Sequence, residues 1–210
     1  LSILDLESVG SVDLITGGFP VEYGDRSAGV FSLQAADPPA EGTRTSLGLS
    51  FMNASFRNQG SFDEGKGGWL VSARRGFLDI VFKLASVEGD FHPAYYDVFG
   101  KTEYEIRPGH RISAHLLHAG DDLRGADDDD FSRHEDRYGS SYLWITSENR
   151  LTDALSSRTV LSASRILKDR HGQDFTNNGA LKNLDVADRL EAWYLGLKVD
   201  LAWELSERAV

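Results

Sequence analysis

The densest cluster of chemistry-bearing side chains in this 210-residue chain is Asp127-Asp128-Asp129-Asp130, followed closely by His134. Clustered carboxylates suit hard cations such as calcium, or a cationic solute. The spacing does not match an EF-hand loop, and four consecutive carboxylates rarely converge on one ion. A solvated loop is therefore expected, with Asp127, Asp128, Asp129, Asp130 and His134 as candidate ligand contacts within it. Asp130 and His134 could in principle pair as acid and base, but no nucleophile accompanies them. The sequence holds no Gly-x-Ser-x-Gly, His-Glu-x-x-His, phosphate-binding loop or dinucleotide fingerprint. No catalytic residue, cofactor or metal site is assigned, and no enzyme activity is expected. With no Cys present, disulfides and thiolate metal sites are excluded.

His115 and His118 invite a metal reading that strand geometry opposes. An odd separation sends two side chains to opposite faces of a strand, so they cannot share an ion without a bulge. His115 is expected on the polar face and His118 on the apolar one. Arg74 and Arg75 must diverge in the same way, one of them toward a carboxylate. Phe91-His92-Pro93 is expected in a long loop.

The elements that would position these groups are strands. From Trp193 to Leu205, alternate residues are Trp193, Leu195, Leu197, Val199, Leu201, Trp203 and Leu205, interleaved with Tyr194, Gly196, Lys198, Asp200, Ala202 and Glu204. Period-2 alternation gives one long strand with an apolar and a polar face. The two Trp are about 33 Å apart at ~3.3 Å per residue. Tilted by ~40°, that projects to about 25 Å, the height of the apolar band on a transmembrane β-barrel. Trp193 and Trp203 would then sit at the two membrane interfaces.

Further strands are expected at Ser46–Asn58, Gly68–Leu78, Tyr96–Arg107, Arg111–His118, Tyr138–Arg150 and Leu155–Asp169. Phe77, Ile80, Val81 and Leu84 also fit a short helix. Short turns are expected around Asp63–Gly67, Arg107–His110 and Leu151–Ala154. Long loops are expected at Leu84–Ala94, Gly120–Arg137 and Arg170–Val186. Short and long connections alternate, as in outer-membrane barrels. Charges at Lys101, Glu103, Glu105, Lys198, Asp200 and Glu204 would line the polar face and link it to whatever it encloses.

Net charge is -11 and mean hydropathy -0.34. The acidity is local: residues 1–42 hold seven acids and one Arg, and Asp121–Arg137 holds eight acids and three Arg. Without clustered Lys and Arg, nucleic acid is not an expected partner. No apolar run reaches the length of a membrane helix. No targeting leader or initiator Met is present, from which a true N-terminus further upstream is expected.

The stretch Val12–Gln34, with Gly17-Gly18-Phe19-Pro20, Tyr23-Gly24, Arg26 and Gly29-Val30, resembles the last part of the plug domain of TonB-dependent outer-membrane receptors. Trp69–Asp79, Tyr95–Lys101 and Gly120-Asp121-Asp122 are similar, in order, to early barrel segments of the subgroup whose plug carries Gly-Gly-Phe-Pro. The resemblance implies an all-β chain. Residues 1–40 would be the C-terminal part of a plug, and residues 41–210 the first seven or eight antiparallel strands of an incomplete transmembrane barrel. It implies active import of a scarce solute such as a ferric siderophore, haem, cobalamin or a glycan. The partners would be outer-membrane lipid and, through an N-terminal box not in this sequence, the TonB complex of the inner membrane. A soluble β-rich binding module, a non-transport barrel and an outer-membrane hydrolase are the alternatives.

Overall fold

The computed structural model describes residues 8–19, 28–84, 92–127, 132–175 and 183–204. β1 (Val9–Ile15) and β2 (Val30–Ala35) pair as an antiparallel ribbon. The remaining strands are β3 (Thr43–Leu49), β4 (Asn53–Phe62), β5 (Gly67–Gly76), β6 (His92–Arg107), β7 (His110–Asp127), β8 (Ser132–Arg150), β9 (Leu155–Phe175) and β10 (Asn183–Trp203). They form one eight-stranded antiparallel meander in which each strand pairs with its sequence neighbours. Among the described residues β3 and β10 pair on one side only, so the sheet is open. α1 (Leu78–Leu84) follows β5, where helical spacing was expected. No described helix is long and apolar enough to cross a membrane, which says nothing of crossing by strands.

Local chemistry fixes the short turns. Gly109, at φ 79°, takes the left-handed position after Pro108. Thr152 Oγ1 accepts the amides of Ala154 and Leu155 at 3.3 and 3.0 Å, closing the β8–β9 turn. Asp63 and Glu64 both have positive φ, and Tyr104 steadies the first by donating its hydroxyl to Asp63 at 2.6 Å.

Three expectations are corrected. His92 and Pro93, expected in a long loop, open β6, while Phe91 lies outside the described residues. Ser46–Asn58 is not one strand: Ser50 Oγ accepts the amides of Met52 and Asn53 at 3.2 and 3.0 Å, turning the chain between β3 and β4. The segments Gly120–Arg137 and Arg170–Val186 are mostly strand rather than loop, since β7 runs to Asp127, β8 starts at Ser132, β9 runs to Phe175 and β10 starts at Asn183. Charged residues replace apolar alternation there, and ion pairs between and along the strands hold the ladder.

Register gives the sheet two unlike faces. One row across all eight strands reads Arg44, Gln59, Leu70, Lys101, His115, Trp144, Ser162 and Gly196. The adjacent row, on the opposite face, reads Thr45, Asn58, Val71, Gly100, Leu116, Leu143, Ala163 and Leu195. The first face, the more covered of the two, is the inner one. It carries the buried side chains Leu70, Ser72, Asp97, Phe99, Lys101 and Ala119.

Candidate functional site

The outer face is an exposed apolar band. On β10, Trp193, Leu195, Leu197, Val199, Leu201 and Trp203 are all exposed, Leu195 to 88%. Leu161, Ile145, Leu143, Leu116, Val98 and Val71 continue the band across the neighbouring strands, and each is also exposed. A contiguous apolar surface of this extent demands cover, because soluble proteins rarely leave such a face to water.

Aromatic rings with polar handles bound the band. At the end with the short turns, Phe62 stacks on Trp69 and Tyr104 with centroids 6.2 and 6.0 Å apart. Trp69 Nε1 donates to Asn58 Oδ1 at 2.8 Å. Trp203 lies at the same end of β10. At the other end, the Tyr96 hydroxyl meets His118 Nε2 at 3.3 Å, and the Arg165 guanidinium lies 5.4 Å from the Trp193 ring. An apolar ring with a wet edge is suited to a boundary between apolar and polar media. Trp193 and Trp203 thus stand at opposite ends of the band, as the alternation predicts.

Three of these rings, and that of Tyr95 on the inner face, lie over glycines. Trp69 faces Gly60, Phe62 faces Gly67, Tyr96 faces Gly120 and Tyr95 faces Gly76, each directly across the strand pair. A Cβ added at any of the four glycines would collide with the ring. The missing side chain is what lets the aromatic lie flat on its neighbour.

The inner face is polar and organised. Arg74 pairs with Asp97 at 2.7 Å, with both side chains at least nine-tenths buried. Removing one partner of such a pair costs about 3–5 kcal/mol, because the other is left charged and unpaired. His115 lies parallel to Trp144 at 4.7 Å and contacts Ser113 at 3.0 Å. His118, on the outer face, meets Ser141 at 2.8 Å, so the two His diverge as strand geometry requires. Arg75 points outward, 3.9 Å from Asp79.

The N-terminal segment is fastened to this inner face. Ser8 Oγ donates to Ser72 Oγ at 2.8 Å, and both residues are fully buried. Lys101 Nζ lies 3.0 Å from Asp37 and 2.9 Å from Glu103. Pro38 covers Gly68, and Gly42 accepts the Ser61 amide at 3.0 Å. Residues 36–42 therefore run along the inner face toward the turn after β4 and enter β3. Of the charges expected to line the polar face, Lys101 joins the sheet to the N-terminal segment through Asp37. Lys198 lies 3.2 Å from Asp200 on its own strand, Glu103 pairs with Lys101, and Glu105 accepts the Gly109 amide at 3.4 Å.

Beyond the band, charges cross-link the strand ends. Lys168 meets Asp188 at 2.6 Å, and this hydrogen bond holds the Asp188 carboxyl below its usual range. Arg165 pairs with Glu191 at 2.9 Å, and Arg124 with Asp122 at 3.1 Å. Arg170 donates to the Tyr138 hydroxyl, which raises the guanidinium pKa further. Asp121, opposite Tyr95 and Tyr138, is pushed up by burial.

The remaining sequence-predicted residues fall as follows. Gly18 takes φ 62° in the turn after β1, while Gly17 has open space around it and no positive φ. The tight approach within the ribbon is at Gly10, where a Cβ would stand 3.0 Å from Ala36 Cα; Gly29 has 3.4 Å to the Ile15 carbonyl. Phe19 follows the turn. Pro20, Tyr23, Gly24 and Arg26 lie outside the described residues, as do Asp128, Asp129 and Asp130. Asp127 is the last residue of β7, opposite Ser132, and His134 is exposed on β8. No group of three His, Cys, Asp or Glu among the described residues could hold a metal ion. Tyr96 and Tyr104 share a face of β6, as their alternation with Asp97, Phe99 and Glu103 gives, whereas the anchor through Ser8 and Asp37 and the ring of Phe62 escape the sequence reading. Parity along β4 could have found Phe62, whereas nothing in the sequence marks the anchor.

No protein-family model matches this chain, and neither the curated proteins nor the solved structures contain a match to it.

Proposed function

We propose that the sheet is part of the wall of a TonB-dependent outer-membrane importer, with residues 1–40 belonging to its plug and 41–210 to its barrel. One observation carries this reading: the sheet has an apolar, aromatic-bounded outer face, and the chain's N-terminal segment is pinned to the opposite, polar face. Lipid supplies the cover the outer face demands, and an enclosed domain explains a polar face that holds its own N-terminal segment. A passive pore would leave that segment without a purpose.

The strand lengths support the same reading. β9 and β10, at 21 residues each, are long enough to cross a bilayer tilted and still project beyond it. The free edges of β3 and β10 would each expose backbone groups costing several kcal/mol apiece in hydrocarbon. Further strands of the same kind would complete the wall. The cargo would be a scarce solute such as a ferric siderophore, haem, cobalamin or a glycan, and energy would come from the TonB complex.

The test uses the whole protein, folded into phospholipid vesicles. Insertion with heat-modifiable gel mobility, and solute uptake in cells that stops when TonB is deleted, is the expected result. Folding in buffer without lipid, to a cooperative water-soluble state, overturns the membrane assignment. Insertion with uptake indifferent to TonB overturns the energised-import assignment alone.

A further inference from the structure

At the projecting edge of the apolar band, one row of the outer face reads Val98, His118, Ser141, Arg165 and Trp193, directly opposite one another on β6 to β10. Three polar side chains thus stand side by side where the alternation is otherwise apolar. Ser141 Oγ lies 2.8 Å from His118 Nδ1, and His118 Nε2 lies 3.3 Å from the Tyr96 hydroxyl. Histidine meets serine in two other places, His110 with Ser147 at 3.3 Å and His115 with Ser113 at 3.0 Å. Among the described residues, only the His118 ring is held at both nitrogens. With the Nε2 proton donated to the Tyr96 oxygen, Nδ1 turns its lone pair to the Ser141 hydroxyl, as a general base requires.

The surroundings supply what acyl transfer needs besides nucleophile and base. β8 is an interior strand, so its amides are spent on β7 and β9, and a side chain must meet a developing oxyanion. Arg165 stands directly across from Ser141 on β9. Glu191 fixes its guanidinium through Nε and Nη2, both at 2.9 Å, and Nη1 has no partner among the described residues. The next outer-face residues on these two strands, Leu143 and Ala163, open an apolar groove of about 490 Å³, lined also by Ile145, Leu161, Leu195 and Leu197. The groove exists because Ala163 is small between Leu143 and Leu195, its partners on the neighbouring strands. At ~3.3 Å per residue it starts about 7 Å from Ser141.

We propose that Ser141, His118 and Arg165 form an esterase site at the membrane surface, acting on carboxylic esters whose acyl chain lies in this groove. The proposal rests on the membrane reading above. Ser141 Oγ attacks the ester carbonyl carbon while His118 takes the hydroxyl proton and Arg165 meets the oxyanion. The bond to the alcohol oxygen breaks, His118 returns the proton to the departing alcohol, and the acyl group stays on Ser141. Water, deprotonated by the same ring, then attacks the acyl-serine and releases the fatty acid and the free serine hydroxyl. Tyr96 is a positioning residue. Its neutral phenol orients the ring but stabilises the imidazolium less than a carboxylate would, so turnover should be slow and acylation the sharper readout.

The experiment treats the whole protein, folded into phospholipid vesicles, with a long-chain alkyl fluorophosphonate and maps the adduct by peptide mass spectrometry. An adduct on Ser141 is expected, formed about tenfold faster than with the methyl analogue because the groove takes the chain. His118→Gln should slow it by about a hundredfold. Ala163→Leu should erase the chain-length preference, and His110→Gln should change neither. With a long-chain p-nitrophenyl ester, Tyr96→Phe should lower kcat and leave KM unchanged, and Ser141→Ala should abolish hydrolysis. In protein with heat-modifiable mobility, three results overturn the esterase and spare the membrane reading: no adduct on Ser141, labelling indifferent to His118→Gln, or hydrolysis surviving Ser141→Ala. Loss of that mobility in the unaltered protein sinks both.

Discussion

Lys101 Nζ and Asp37 Oδ1 meet at 3.0 Å although 64 positions separate them in sequence. Lys101 is 7% exposed at its side chain and Asp37 84%, so the sheet supplies a fixed, buried cation and the N-terminal segment reaches in to it. The pairing is asymmetric. Glu103, also on Lys101, keeps the cation balanced when Asp37 leaves.

Asp37→Asn should therefore loosen the N-terminal segment without unfolding the sheet. Because Asp37 is exposed, the loss of stability should stay below about 1 kcal/mol. Hydrogen exchange should accelerate at Val30–Ala35 and remain unchanged in β5 and β6. Unchanged exchange in both places would show that the Ser8–Ser72 contact and the Pro38 packing suffice as the anchor.

Depth along β10 provides a second test. Leu197→Arg, at the middle of the band, should destabilise the protein in vesicles by about 2–4 kcal/mol, whereas Trp203→Arg, at its edge, should cost about 0–1 kcal/mol beyond the lost ring. Denaturant titrations in lipid measure both. On a water-facing sheet neither charge would be penalised by depth, so a cost for Leu197→Arg no larger than the ordinary surface range of about 0.5 kcal/mol would sink the membrane assignment.

Acid should act in opposite senses at two carboxylates beyond the band. Asp188 has a folded pKa below its usual 3.8, so its bond to Lys168 stabilises the strand ends above that pH and is lost as pH falls through the folded value. Asp121 has a folded pKa raised above 3.8 by burial. Its ionisation therefore works against folding, and that burden lifts as pH drops through its folded value. Amide exchange followed from pH 6 to 3 should show β9–β10 loosening around Asp188, while the β6–β7 pairing around Asp121 tightens or holds. Lys168→Gln should abolish the first effect and leave the second.

What was legible in the sequence was whatever repeats every second residue or turns on a local side chain. Trp193 to Trp203 announces its strand because a single face is apolar, and Pro108-Gly109 announces its turn. The projecting ends of β7 to β10 were hidden because both of their faces are charged. Their order comes from pairs such as Lys168–Asp188 and Arg165–Glu191, formed between residues 20 and 26 positions apart. The β3–β4 turn was hidden for the opposite reason: Phe51 and Met52 read as a continuing strand, and the chain is reversed by the Ser50 hydroxyl together with the Ser50 amide, which donates to the Asn53 carbonyl at 2.9 Å. The anchor at Asp37 depends on a partner on another strand and leaves no local trace.

The two free edges of the sheet are unequal, with seven residues on β3 and 21 on β10. A strand added at β10 would zip along three times as many residues as one joined to β3. If the wall closes on itself, the seam at β3 is its weakest line, and it runs beside the point where the N-terminal segment enters. Under a pull transmitted through that segment, the load would fall first on the shortest ladder in the sheet, two strands from Ser72 and three from Lys101, whose side chains hold the segment in place.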